Sequence, residues 1–341
     1  MTGWVHTHAA WPVRLDGQAS TRPGAGRRAR RNGGGRPVTR TAAVSDTRVA
    51  QRDLLGVGAD LVALTKPRII LLLLVTGYCA MVVAARGVPS VGLTAKTLFG
   101  LALSAGGANA VNMWYDRDID GVMSRTQGRP VPSGRLQAET ALWFGIACAA
   151  ASMLLLGLGV NWPTALFALA GFVYYVFIYT MWLKRRTPQN IVIGGGAGAL
   201  PPLVGWAAVT GGVGLAAALM FLIVFLWTPP HFWSLALYKD QDYRRAGIPM
   251  MPAVRGWIAT KRQALLYAMA LTAASLGLYW THAVGSVYLV AAAVLGAGFI
   301  AHTALLLRER KPDVAWAKRT FRFSLMYLTV VFAAMVLDLP H

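Results

Sequence analysis

The chain has 341 residues, 56% hydrophobic and 13% charged, with a formal net charge of +20. This is too apolar and too sparsely charged for an ordinary soluble domain of its length and reads as a multi-pass membrane protein. Its Lys and Arg residues are spread over a tail and short linkers instead of one basic face, which argues against a nucleic-acid partner.

Residues 1–60 are rich in Arg, Gly and Ala, carry the run Gly26-Arg-Arg-Ala-Arg-Arg31 and lack hydrophobic periodicity. They are expected to be a disordered basic cytoplasmic tail before a membrane domain at 61–341. No apolar core of a secretory signal occurs before about residue 61; an organellar transit peptide or an over-extended start is the alternative.

Nine apolar stretches, at about 68–86, 97–115, 141–160, 163–183, 190–209, 214–237, 264–281, 286–307 and 321–339, can each cross a hydrocarbon core of about 30 Å. Basic residues fill every second linker: Arg117, Arg125, Arg129 and Arg135 after helix 2, Lys184 to Arg186 after helix 4, Lys239 to Arg262 after helix 6, and Arg308 to Arg319 after helix 8. The opposite linkers hold only Arg86 and Lys96, so the N-terminus is expected in the cytoplasm and His341 outside. Cys79 and Cys148 lie inside spans without a CxxC pattern and read as small buried hydrophobes. Gly106-Gly107 and Gly194 to Gly198, the latter before Pro201-Pro202, favour close helix packing over a ligand gap. The two longest interior linkers, about 116–140 and 238–263, are four helices apart and emerge on one face. Their parallel composition predicts a duplicated four-helix unit with a site between the linkers.

Asn112, Asp116 and Asp120, spaced by four, share one helical face with roughly 6 Å between successive positions. Mg²⁺ is usually held by one or two carboxylates plus a substrate's phosphate oxygens, which this spacing suits. The competing reading is an acidic helix end paired with Arg117 and Arg125. Arg125 and Arg129 follow closely, and guanidinium forks match phosphate oxygens, so an apolar ligand with a diphosphate head fits. In the second linker Asp240 and Asp242 are candidates for a second metal, and Lys239, Arg244 or Arg245 for the departing diphosphate, with Lys184 after helix 4 a further candidate. His231, after Pro229-Pro230, is a histidine inside a span, where such a residue is commonly hydrogen-bonded to a neighbouring helix.

Asn112-Met-Trp-Tyr-Asp-Arg-Asp-Ile-Asp120 running into Arg125-Thr-Gln-Gly-Arg129-Pro resembles the first signature of the UbiA-type intramembrane prenyltransferases. Together with Leu64-Thr-Lys-Pro-Arg68, Trp227-Thr-Pro-Pro-His231-Phe-Trp233 and Asp242-Tyr-Arg-Arg-Ala-Gly-Ile-Pro-Met-Met-Pro252, it is similar to the heme-farnesylating branch of that superfamily, over about 61–339. The resemblance implies nine transmembrane helices around a central cavity with cap loops after helices 2 and 6. It also implies Mg²⁺ as cofactor, farnesyl diphosphate and protoheme IX as substrates, with His231 the candidate to meet the heme iron, a plasma-membrane location over an organellar one, and contact with heme A synthase or terminal oxidase assembly. A quinone precursor is the alternative acceptor. One departure weakens the second motif: the position four before Asp242, acidic in many relatives, is Tyr238. Trp114, Tyr115, Tyr174, Tyr175, Trp227 and Trp233 are candidate walls of a dry cavity, although interfacial anchoring is the commoner use of such rings.

Overall fold

Stretches this apolar satisfy their backbone polar groups in lipid only as helices, and the structure, a computed structural model describing residues 54–310 and 312–339, is helical throughout those residues apart from turns. The tail expected over 1–60 lies outside the described residues as far as 53, and the boundary expected after residue 60 falls inside the first helix, α1 (Leu54–Thr65). Nine helices among the described residues are long and apolar enough to span: α2 (Pro67–Ala85), α3 (Val91–Tyr115), α5 (Ala138–Gly159), α6 (Trp162–Leu183), α7 (Asn190–Thr210), α8 (Leu215–Tyr238), α11 (Gly256–Thr281), α12 (Ser286–Arg308) and α13 (Ala315–Leu337). Short helices α4 (Arg117–Val122), α9 (Asp240–Arg245) and α10 (Met251–Val254) lie in the two long linkers.

Several helices begin earlier than hydropathy predicts. α3 starts at Val91 instead of 97, α11 at Gly256 instead of 264 and α13 at Ala315 instead of 321. Their first turns carry Lys96, Lys261 and Arg262, and Lys318 and Arg319; hydropathy locates the lipid-embedded part of a helix, while its hydrogen bonding continues into the polar boundary. Local chemistry marks the ends. Ser90 caps α3 by accepting from the Leu93 amide at 3.3 Å, Asn161 caps α6 by accepting from Thr164 at 2.9 Å, and Pro67 and Pro163 occupy first-turn positions that need no amide. α7 breaks at Leu200, where Pro201-Pro202 removes two successive donors. Within α8, Pro229-Pro230 is tolerated beside hydroxyls that bond back into the helix, Thr228 to Val224 O at 2.9 Å and Ser234 to Pro230 O at 2.7 Å.

Consecutive spanning helices pack side by side into a ring that α13 closes against α2, while α2 also packs on α7 and α8 on α13. The seam between α2 and α7 is a backbone contact. A Cβ placed on Gly205 would lie 2.0 Å from the carbonyl oxygen of Gly77. Gly205→Ala is therefore expected to push α7 from α2 and cost about 1–3 kcal/mol, seen as a lower thermal midpoint in detergent. Gly198→Ala, where a Cβ meets nothing within 4 Å, is the matched control and is expected to leave the midpoint unchanged.

Candidate active site

The site grows from the end of α3. Asp116 terminates that helix (φ −89°, ψ 10°), but its carbonyl still accepts from the Asp120 amide at 2.8 Å, so the helical path runs on into α4 and keeps Asn112, Asp116 and Asp120 on one side. Asp116 is fully buried and Asp120 2% exposed. Two buried carboxylates at a membrane boundary need cations. The sequence supplies them from three places.

Asp116 pairs through Oδ2 with Lys184 Nζ and through Oδ1 with Arg185 Nη2 at 3.3 Å, both from the turn after α6. Arg185 also grips Asp118 with two bonds of 2.7 Å and lies over the Tyr115 ring at 4.9 Å. That grip holds the Asp118 carboxyl below the usual carboxylate range and raises the guanidinium in turn. Asp120 pairs with Arg129 at 2.6 Å, and its carbonyl accepts from the Thr126 hydroxyl at 2.7 Å, which folds the Met123–Arg129 turn back over the helix end. The pairing expected from Arg117 is not made: Arg117 turns to the Trp114 carbonyl at 2.7 Å.

The third contribution comes from the junction of α1 and α2. Lys66 sits in the left-handed region (φ 57°, ψ 62°), a conformation that costs a non-glycine residue of order 1–3 kcal/mol and is held here between a helix end and Pro67. Its Nζ donates to Asn112 Oδ1 at 2.9 Å, while Asn112 Nδ2 donates to Asp116 Oδ2 at 2.7 Å and to Thr180 Oγ1 at 3.1 Å. Asn109 fixes the junction by donating to Thr65 O at 3.0 Å. Burial, then the neighbouring Arg129 and Lys184, push the Lys66 ammonium down to about 7 against the pull of Asp120 and Asp116.

The second long linker meets the first. Ser124 donates to Asp242 Oδ2 at 3.0 Å, and Arg125 lies over the Tyr243 ring at 5.6 Å and donates to its hydroxyl at 3.3 Å. Tyr243 is packed with Met123 and Ile248, and burial raises its phenol. Asp242 is also 3.7 Å from Arg245. Asp240, expected as a fourth metal ligand, is directed elsewhere: it pairs with Arg244 at 3.0 Å and accepts from Trp257 Nε1 at 3.2 Å, at the start of α11. Lys239 lies 5.9 Å from the Tyr238 ring. Among the described residues no three His, Cys, Asp or Glu side chains converge; Asp116 and Asp120 stand on the first linker's helix end, and Asp240 and Asp242 on the second linker.

His231 is stacked between Trp227 (4.2 Å) and Phe321 (4.7 Å), and its Nδ1 is 2.7 Å from Ser324 Oγ on α13. Trp227 donates to Ser324 O at 2.7 Å. These contacts tie α8 to α13. Several expected wall aromatics have other neighbours: Trp233 is fully enclosed against Tyr267, Tyr174 bonds Ile193 O, and Tyr115 and Trp114 carry Arg185 and Arg117. Gly194 gives room to the Tyr179 ring, which would lie 2.2 Å from an added Cβ, so the glycine run of α7 is packing space.

The expected residues Asn112, Asp116, Asp120, Arg125, Arg129, Lys184 and Asp242 are thus gathered at one end of the bundle. Lys66, Thr180, Arg185, Ser124 and Tyr243 join them without having been singled out. Lys66 had a local signal, a lysine wedged before proline at a helix mouth, and Arg185 was read only as part of a basic linker. Thr180 and Ser124 had none.

A model of the UbiA prenyltransferase family matches residues 73–327. A protoheme IX farnesyltransferase of Symbiobacterium thermophilum is 60% identical over 83% of this chain and 94% of its own length. One of Acidiphilium cryptum is 48% identical over 88% and 97%. Among solved structures, that of digeranylgeranylglyceryl phosphate synthase superimposes with a TM-score of 0.69 at 18% identity over 82% of this chain and 97% of its own. A UbiA homologue from Archaeoglobus fulgidus bound to GPP and Mg²⁺ gives 0.57 at 16% over 81% and 99%. The structural likenesses carry the fold, and the sequence matches extend over nearly the whole described bundle: the chain belongs to the UbiA prenyltransferase family, in its protoheme IX farnesyltransferase branch.

Proposed function

We propose that the protein transfers the farnesyl group of farnesyl diphosphate to a vinyl group of protoheme IX, with addition of water, giving heme O and diphosphate. The observation that carries the reading is the buried array of Asp116, Asp120 and Asn112 interlocked with Lys66, Arg129, Lys184 and Arg185 at the end of an apolar bundle. The 60% identity to a protoheme IX farnesyltransferase supports heme over a quinone precursor as acceptor.

The donor set suits Mg²⁺. Asp116 and Asp120 offer carboxylate oxygens one helical turn apart with Asn112 beside them, and Mg²⁺ held by one or two carboxylates takes its remaining ligands from water and phosphate oxygens. When bound, Mg²⁺ would neutralise charge on the leaving diphosphate. The cations now paired with the carboxylates have a second use: Arg129, Lys184 and Arg185 can turn from carboxylate to phosphate oxygens as metal takes their place, with Lys66 and Arg125 bordering the same space. Lys239 and Arg244 of the second linker are further candidate cations for the departing diphosphate, and Asp242, held by Ser124, is the candidate second-metal carboxylate. As the allylic carbon–oxygen bond breaks, its electron pair leaves with diphosphate. A heme vinyl group attacks the cation, water adds at the resulting carbocation, and a proton is released. For His231, engagement of Nδ1 by Ser324 leaves Nε2 as the nitrogen available to iron.

The alternation of basic linkers supports a bacterial plasma-membrane protein with a cytoplasmic N-terminus, this site on the cytoplasmic side and His341 outside. The basic segment before α1 is read as a cytoplasmic tail, and hand-over of product to heme A synthase or terminal oxidase assembly as the downstream contact.

Incubated with heme b, farnesyl diphosphate and Mg²⁺, the purified protein is expected to yield farnesylated heme by mass, and Asp116→Ala or Asp120→Ala to lower the rate by about 10²-fold or more. Full activity in both variants would remove the metal reading; prenylation of quinone precursors alone would remove the acceptor. Lys184→Met should destabilise the bundle by about 3 kcal/mol by stripping a partner from buried Asp116. Asp116→Asn in the same chain should recover the thermal midpoint without recovering activity, which separates the structural from the catalytic role of the pair.

A further inference from the structure

Away from this site, the first turn of α11 and the last turn of α12 enclose a recess of about 850 Å³ on the face that carries the basic linkers. Arg255, Arg308 and Arg310 stand exposed around it, and none of the three makes an ion pair among the described residues. Buried Lys261 forms part of its floor and donates to the Glu309 carbonyl at 2.5 Å. Glu309, the one acid in the wall, is turned away: its carboxylate accepts from the Trp316 amide at 2.5 Å and the Ala317 amide at 3.3 Å, at the start of α13. The exposed arginines thus outnumber the one acid that lines the recess among the described residues.

The backbone adds to that excess of positive charge. Arg255 (φ −101°, ψ −4°) donates its amide to the Met251 carbonyl at 2.9 Å and is followed by Gly256 at φ +81°, the turn that starts α11 beside the recess. The long helix α11 starts here without a side-chain cap, and its residues Gly256, Trp257 and Ile258 line the recess, which places the positive end of its dipole at the recess edge. Beside the cations, Ile258 is 66% exposed and Leu307 half-buried, both on spanning helices. An anion held here would have an apolar surface running from it along α11 and α12.

We propose that this recess is a binding site for the headgroup of an anionic phospholipid, with the phosphate on Arg255, Arg308, Arg310 and the start of α11 and an acyl chain along Ile258 and Leu307. A free phosphate shares the charge but not the apolar shoulder, and the boundary position of both helix ends favours lipid. The proposal does not depend on which acceptor the enzyme prenylates.

The test uses the full chain in neutral detergent, titrated with short-chain phosphatidylglycerol, phosphatidylcholine or inorganic phosphate and read by native mass spectrometry. Phosphatidylglycerol is expected to bind about tenfold or more tightly than phosphatidylcholine, and the triple substitution R255Q/R308Q/R310Q to abolish that preference. Each single substitution should weaken binding a few-fold, a readout that survives a triple variant that fails to fold. The triple R262Q/K318Q/R319Q, which removes as much charge outside the recess, should keep the preference. Equal binding of the two lipids, equal losses in the two triple variants, or displacement of phosphatidylglycerol by an equal concentration of inorganic phosphate would each overturn the proposal.

Discussion

The Asp116 carboxylate, with no exposed surface, is the constraint on which the catalytic end of the bundle depends. In a low-dielectric boundary a charge in that position persists only if partners meet it from every side. Asn112 meets it from the same helix, Lys184 and Arg185 from the turn between α6 and α7, and Lys66, through Asn112, from the junction of α1 and α2. One buried acid thereby fixes the relative position of three chain segments. The left-handed backbone of Lys66 and the exclusive commitment of the Asn112 amide are consequences of that convergence.

The same arrangement reconciles two readings of the acidic cluster that look exclusive in the sequence. It is an acidic helix end paired with cations, and in the proposed reaction it is a metal site. The pairs need only exchange partners: metal for the carboxylates, phosphate oxygens for the guanidinium and ammonium groups. The contacts Ser124–Asp242 and Arg125–Tyr243 couple the two long linkers, so a ligand that draws Arg125 inward would also move the second acidic segment. The recess between α11 and α12, by contrast, is bordered by three arginines that make no ion pair among the described residues and by the start of a helix.

Much of this was legible in the sequence because it rests on local periodicity. The spans follow from runs of apolar residues, and the shared face of Asn112, Asp116 and Asp120 from a spacing of four. Which cation meets which acid was not legible, because the pairs join residues as far apart as Asp116 and Lys184 or Ser124 and Asp242. Arg117, next in sequence to Asp116, was the natural partner, yet an adjacent residue on a helix points away from its neighbour, and Arg117 bonds Trp114 instead. Asp240 was grouped with Asp242 for the same reason and turns to Trp257. His231 carried the opposite ambiguity: its position fitted iron ligation, while its enclosure between Trp227 and Phe321, bonded to Ser324, is set by the packing of α8 on α13.

If the buried carboxylates give up their cations to diphosphate only with metal in their place, farnesyl diphosphate affinity across a Mg²⁺ titration should differ between the intact protein and Asp116→Asn. Mg²⁺ is expected to tighten diphosphate binding by about tenfold or more in the intact protein, a coupling of about 1.4 kcal/mol, and to have no such effect in Asp116→Asn. Diphosphate binding that is equally tight without Mg²⁺, or an undiminished Mg²⁺ effect in Asp116→Asn, would contradict this expectation.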